Sequence, residues 1–91
     1  MLSFLQQNPH NVMQELKERL KDKRKSFKLS QKELSTRADV SLGSLKRFEQ
    51  TGQISLEALL KLSVVLECLE DFGGVCGKRE IMPSSIEELI L

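Results

Sequence analysis

The 91-residue chain has no tryptophan, no tyrosine and only four phenylalanines. Its core must therefore be built from leucine, isoleucine, valine and those few rings. Only two prolines interrupt it, and β-branched residues are sparse over the first sixty positions. A leucine-rich chain so poor in breakers and strand formers reads as all-α, with length for one modest core. No apolar run reaches the ~20 residues of a membrane span. Met1-Leu2-Ser3-Phe4-Leu5 lacks the basic start and apolar length of a secretory leader, so a cytoplasmic setting without membrane contact is expected.

Two cysteines, Cys68 and Cys76, and one histidine, His10, form no CxxC pair and no zinc-site spacing. Cys68 reads as a small buried residue, and no metal is expected. An enzyme is not expected either, since no facing carboxylate pair and no glycine-rich phosphate loop is present. Gly73-Gly74 is too short for such a loop. No catalytic residue and no cofactor is assigned.

The net charge of +1 hides a polarity. Residues 1–56 carry eleven basic against six acidic side chains, whereas residues 57–91 carry three against seven. That suits one polyanion-facing surface and another that faces elsewhere. A solvated helix face gives the same count, so the asymmetry alone decides nothing.

Asn8-Pro9-His10-Asn11 reads as a break, with Asn11 as a helix N-cap. Val12, Met13, Leu16 and Leu20 recur at three- and four-residue spacing and predict an amphipathic helix to about Lys25. Ser30-Gln31-Lys32-Glu33 has the capping-box pattern and opens a second helix carrying Leu34 and Ala38. Asp39-Val40-Ser41 ends it, and Ser41 caps a third helix holding Leu45 and Phe48. Gly52 suits the left-handed close of that helix. Ser55 starts a fourth, whose Leu56, Leu59, Leu60, Leu62, Val64, Val65, Leu66 and Leu69 cover most of its circumference. Such a helix is expected to be buried on more than one side. Lys78 to Pro83 reads as an extended connector and Ser84 to Leu91 as a last helical turn. The expected organisation is an extension over 1–11, a domain over 12–72 and a C-terminal extension over 73–91 for dimer or partner contact.

Two short helices, 31–38 and 42–50, flank a three-residue turn. Leu34, Ala38, Val40, Leu45 and Phe48 stand where a helix-turn-helix needs apolar residues. Asp39 can take the left-handed backbone of the turn because its side chain is short and polar.

Leu29-Ser30-Gln31-Lys32-Glu33-Leu34, Ala38, Val40-Ser41, Leu45, Arg47, Glu49 and Gly52, continued by Leu56, Leu59 and Leu62, resemble the lambda-repressor/Cro-type regulators, the XRE family. The resemblance covers about residues 12–72. It departs at Ser35, where alanine is usual, at Asp39, where glycine is usual, and in one extra residue between Glu49 and Gly52.

The resemblance implies a compact four- to five-helix lambda-repressor-like domain with a short C-terminal extension. It also implies a nucleoid-associated, DNA-binding regulator whose third helix enters the major groove. Leu42, Gly43, Ser44 and Arg47 then become the base-contacting set, with Arg47 supplying ~1–3 kcal/mol if it meets a guanine. Leu42 has a second reading as an apolar protein contact, and Arg47 as a phosphate contact or a solvated charge. Gln31 resembles the family's phosphate-binding glutamine. Ser30, Lys32, Ser41, Lys46 and Gln53 are further phosphate candidates, which hold register without reading sequence. Glu49 stands where the family pairs an acidic residue with an arginine of the first helix, and Arg24 matches that partner.

One monomer makes few contacts, and the family implies a homodimer on a palindromic operator in double-stranded DNA. Leu66, Leu69, Phe72, Val75, Ile81 and Met82 are the candidate dimer interface. Residues 41–52 with Ile54-Ser55-Leu56 are also similar to HipB-like antitoxins, which implies a HipA-like kinase toxin as partner and autoregulated repression. A regulator with no protein partner but itself, and an interaction module of this fold without DNA binding, remain the alternatives.

Overall fold

The computed structural model describes residues 8–78. Five helices follow one another there: α1 Pro9–Ser26, α2 Gln31–Ala38, α3 Leu42–Thr51, α4 Leu56–Val65 and α5 Glu70–Gly73, with no strand among the described residues. The described residues are all-α, as the sequence predicts. No helix among the described residues is long and apolar enough to cross a membrane.

α1 begins three residues earlier than the apolar spacing predicts. Asn8, not Asn11, is the N-cap; its side chain accepts from the Asn11 amide at 2.8 Å. Pro9 takes the first helical position, where its missing N–H costs nothing and its fixed φ is already helical.

Ser30, Ser41 and Ser55 open the next three helices, each hydroxyl accepting from the amide three residues on. Each satisfies one amide that a helix start leaves without a partner. At Ser30 the exchange is reciprocal, because its own amide donates to Glu33 Oε1 at 2.8 Å.

The ends of α1, α2 and α4 share one geometry. Lys28, Asp39 and Glu67 each stand at φ near +58°. After them the Leu29, Val40 and Cys68 amides reach back to the carbonyls of Arg24, Ser35 and Ser63 at 3.2, 3.0 and 2.9 Å. These are Schellman closures, made without glycine. Each turns the chain inward, and the residue after the left-handed one, Leu29, Val40 or Cys68, enters the core.

α2 packs against α3 and α4, and α1 packs across α3. Leu34, Leu45, Phe48, Leu62 and Leu66 form the centre of the core. Ser35, in place of alanine, is buried without loss because its hydroxyl donates to the Lys32 carbonyl at 2.8 Å.

The expected burial of the fourth helix on more than one side does not hold among the described residues. The helix ends at Val65, and Leu66 and Cys68 reach the core from the turn beyond it. α4 buries the face of Leu59, Leu62 and Ser63, whereas Leu56 (68%) and Val64 (58%) are exposed. An unbroken apolar run concealed the helix end.

Candidate nucleic-acid interface

Glu49 anchors α3 from behind. Its Oε2 accepts from Arg24 Nε at 2.7 Å, and its Oε1 accepts from Arg24 Nη2 at 3.0 Å and from Gln31 Nε2 at 2.8 Å. Arg24 Nη1 donates to the Leu29 carbonyl at 2.9 Å, so the same guanidinium also holds the α1–α2 connection. Arg24 is 9% and Glu49 6% exposed. Each buried charge therefore has a bidentate partner, which is what burial of an ion requires.

The C-terminal end of α3 is held from α1. Gln14 Nε2 donates to the Thr51 carbonyl at 3.0 Å, and Lys17 Nζ lies 3.5 Å from the Gln50 carbonyl. These occupy acceptors that a helix end leaves without intrahelical donors. Gly52 follows at φ +83°, and a Cβ there would sit 3.3 Å from the Met13 carbonyl and 3.1 Å from Gln14 Nε2. The sequence pattern does not reveal Gln14 and Lys17, because both contacts join residues more than thirty positions apart.

With its back and its end held, α3 presents its remaining face outward. Gly43, Ser44, Lys46 and Arg47 are exposed, and Leu42 is half-buried. A Cβ on Gly43 would meet no atom of the described residues within 4 Å, so their packing does not require a glycine there. The Ser41 hydroxyl donates to Ser44 Oγ at 2.9 Å, which leaves the Ser44 proton directed at no partner among the described residues. Arg47 Nη2 donates to Gln53 Oε1 at 2.6 Å. Ser44, Arg47, Gln53, Ile54 and Ser55 line a shallow hollow of about 290 Å³ between α3 and the start of α4.

A family model described as helix-turn-helix matches residues 20–72, more than half of the chain. The chain belongs to that helix-turn-helix family. It is of the XRE type, and its members are DNA-binding transcriptional regulators. No curated protein and no solved structure matches the chain. The match begins inside α1 and ends at α5, so it includes every contact that fixes α3 from α2 and from the Arg24 end of α1.

In a helix-turn-helix protein the second helix of the motif lies in the major groove, and here that helix is α3. Leu42, Gly43 and Ser44 form its first turn, and Arg47 stands one turn further along. The phosphate candidates lie on both flanks. Ser30, Gln31 and Lys32 are at the α2 N-terminus, Ser41 is at the α3 N-cap, and Lys46 and Gln53 are exposed along α3 and beyond it. Ser30 and Ser41 spend their hydroxyl oxygens on caps, and one Gln31 N–H is given to Glu49. Gln31 keeps its second amide hydrogen and the backbone N–H at the positive end of α2.

Ser30 donors hold the Glu33 carboxyl below its ordinary range, first through the backbone amide and then the hydroxyl. Arg37 adds a smaller pull and burial opposes it.

The candidate dimer residues divide. Leu66 is 1% exposed at the centre of the core, so it offers no surface to a partner; its place in the interface is corrected. Leu69 (40%) and Val75 (61%) are exposed beside half-buried Phe72. Phe72 and Val75 line, with Leu16 and Leu20, a groove of about 350 Å³. Ile81 and Met82 lie outside the described residues, as does the turn read at 84–91.

Proposed function

We propose that this regulator is a sequence-specific repressor that binds a palindromic operator as a homodimer, with α3 in the major groove. One observation carries the reading: α3 is fixed on its inner side by the buried Arg24–Glu49–Gln31 cluster and keeps Gly43, Ser44 and Arg47 exposed on the other. A pre-set helix spends little ordering entropy when it enters the groove. Arg47 reads a base, Ser44 adds a weak donor or acceptor, and Leu42 meets a thymine methyl. Gln31, Lys32, Lys46 and Gln53, with the helix starts at Ser30 and Ser41, hold phosphates.

Dimer formation is supported by the exposed Leu69 and Val75 beside the Phe72 groove, around α5. Two copies would place their α3 helices on half-sites about 34 Å apart. The similarity of residues 41–52, with Ile54-Ser55-Leu56, to HipB-like antitoxins extends the reading to a HipA-like kinase as second partner and to repression of the protein's own operon. Co-purification with such a kinase tests that extension.

The central test is fluorescence anisotropy on duplexes enriched from a randomised library, repeated across a salt series. Specific binding should weaken steeply with salt, its log–log slope near −0.9 per phosphate engaged. Arg47→Ala should abolish preference at one position of each half-site. Binding that shows no salt dependence and no enriched sequence returns the interaction-module reading.

A further inference from the structure

Arg47 is tied at its backbone to the last residue of its helix and at its side chain to the turn that follows. Its guanidinium Nη2 donates to Gln53 Oε1 at 2.6 Å. Its carbonyl accepts from the Thr51 hydroxyl at 2.7 Å, and Thr51 Oγ1 in turn accepts from the Gln53 amide at 3.1 Å. Side chain and backbone thus close a ring through Thr51 and Gln53. Gly52, between them, has a left-handed φ, and Met13 and Gln14 leave no room there for a Cβ. The Gln53 backbone therefore has a set position relative to α3, and the Gln53 carboxamide oxygen accepts from Arg47. Its NH₂ group has no partner among the described residues, and the side chain is exposed.

We infer that Gln53 is a positioning residue for base reading: its oxygen aims the Arg47 guanidinium while its nitrogen grips a DNA phosphate, coupling backbone docking to the reading contact. The inference rests on α3 being the reading helix. Arginine is long and rich in rotamers, and a free one gives up that freedom on meeting a base. A carboxamide oxygen that occupies one guanidinium N–H removes much of the freedom beforehand and leaves other N–H groups for a guanine edge. The phosphate contact then places the pair, because one amide group belongs to both.

The test is enrichment from a randomised duplex library, followed by competition titration of matched and single-mismatch duplexes. Wild type, Arg47→Ala, Gln53→Met and Gln53→Glu are compared, with equal melting temperatures confirming that each folds. Wild type should discriminate at the Arg47-read position by about 10- to 100-fold. Gln53→Met, similar in shape but without the oxygen and the NH₂, should lower that ratio about tenfold and leave the other positions unchanged. Gln53→Glu keeps an oxygen for Arg47 and turns a carboxylate toward phosphate, so discrimination should survive while affinity falls on every sequence alike.

If Arg47→Ala flattens a position that Gln53→Met leaves intact, the DNA reading stands and the role of Gln53 falls. Uniform weakening by Gln53→Met with the ratio preserved also overturns positioning, since only the phosphate contact is then at work. A wild type that enriches no sequence removes both the inference and the reading beneath it.

Discussion

Arg24 and Glu49 face each other across the α1–α3 contact at 2.7 Å, and Glu49 is also bonded by Gln31 of α2. One carboxylate therefore joins three helices. Truncating either member strands the other as a buried, uncompensated charge, which costs about 3–5 kcal/mol. Arg24→Ala and Glu49→Ala should each lose stability on that scale in urea unfolding. Arg24→Met combined with Glu49→Leu should recover most of the loss, because a matched apolar pair leaves no charge stranded. A loss below about 1 kcal/mol in both single variants would show the pair to be solvated and worth no more than a surface contact.

Helix ends supply a second expectation. Lys28 and Glu67 stand at φ +58° and +59°, where a side chain crowds the backbone. The left-handed conformation costs an L-residue about 1–2 kcal/mol, and glycine escapes it at some expense in unfolded-chain entropy. Lys28→Gly and Glu67→Gly should therefore each raise stability by about 0.5–1 kcal/mol, read as a higher melting temperature with unchanged helical circular dichroism. Asp39→Gly should gain less, since a short polar side chain already tolerates the conformation and Asp39 lies 3.7 Å from Lys61. A lower melting temperature for both Lys28→Gly and Glu67→Gly would show that their side chains stabilise the turns by contacts worth more than the strain.

These ends also mark what the sequence makes legible. Ser30, Ser41 and Ser55 act on amides three residues away, so a short window reveals them, and Gly52 and Asp39 announce their turns by residue type. The end of α4 carries no such sign. Glu67 occupies the position glycine would mark, and apolar residues run on through the turn, so an ended helix looks continuous. Asn8 and Asn11 are both competent caps, and only Pro9 at the first helical position favours Asn8. Within the candidate interface, the spacing shows which side chains lie along α3. The hold of Gln14 and Lys17 on its end depends on packing between distant segments, and no local window contains it.

Glu33 gives a pH dependence with a definite sign. Its carboxylate is held below the ordinary glutamate value of 4.5 by the Ser30 donors. A depressed folded value means stability present above 4.5 and lost as pH falls through the lowered value. Glu33→Gln keeps the capping geometry but cannot ionise. Wild type should therefore be the more stable at pH 7, and the difference should shrink as pH drops below 4.5 until the two melt together. The subtraction cancels the other carboxylates, which titrate in both proteins. A difference that stays constant from pH 7 into strong acid would separate the capping box from any charge effect.

Gly43 separates stability from recognition. It sits in the first turn of α3 with empty space where a Cβ would be, so nothing among the described residues opposes alanine there. Alanine is the better helix former by up to about 1 kcal/mol, with less of that expressed so near the helix start. Gly43→Ala should therefore hold or raise the melting temperature. On DNA the sign reverses if the α3 backbone lies against the groove floor, because an added methyl pushes the helix outward and loosens the contacts of Ser44 and Arg47 together. A tenfold fall in affinity corresponds to about 1.4 kcal/mol, and a loss of at least that size is expected on the enriched duplex. Non-specific DNA should be bound as before, since phosphate contacts on the flanks do not need the close approach. If Gly43→Ala is more stable and binds the enriched duplex equally well, the backbone does not approach the bases at this point. Sequence reading would then rest on Arg47 and its neighbours further along the helix.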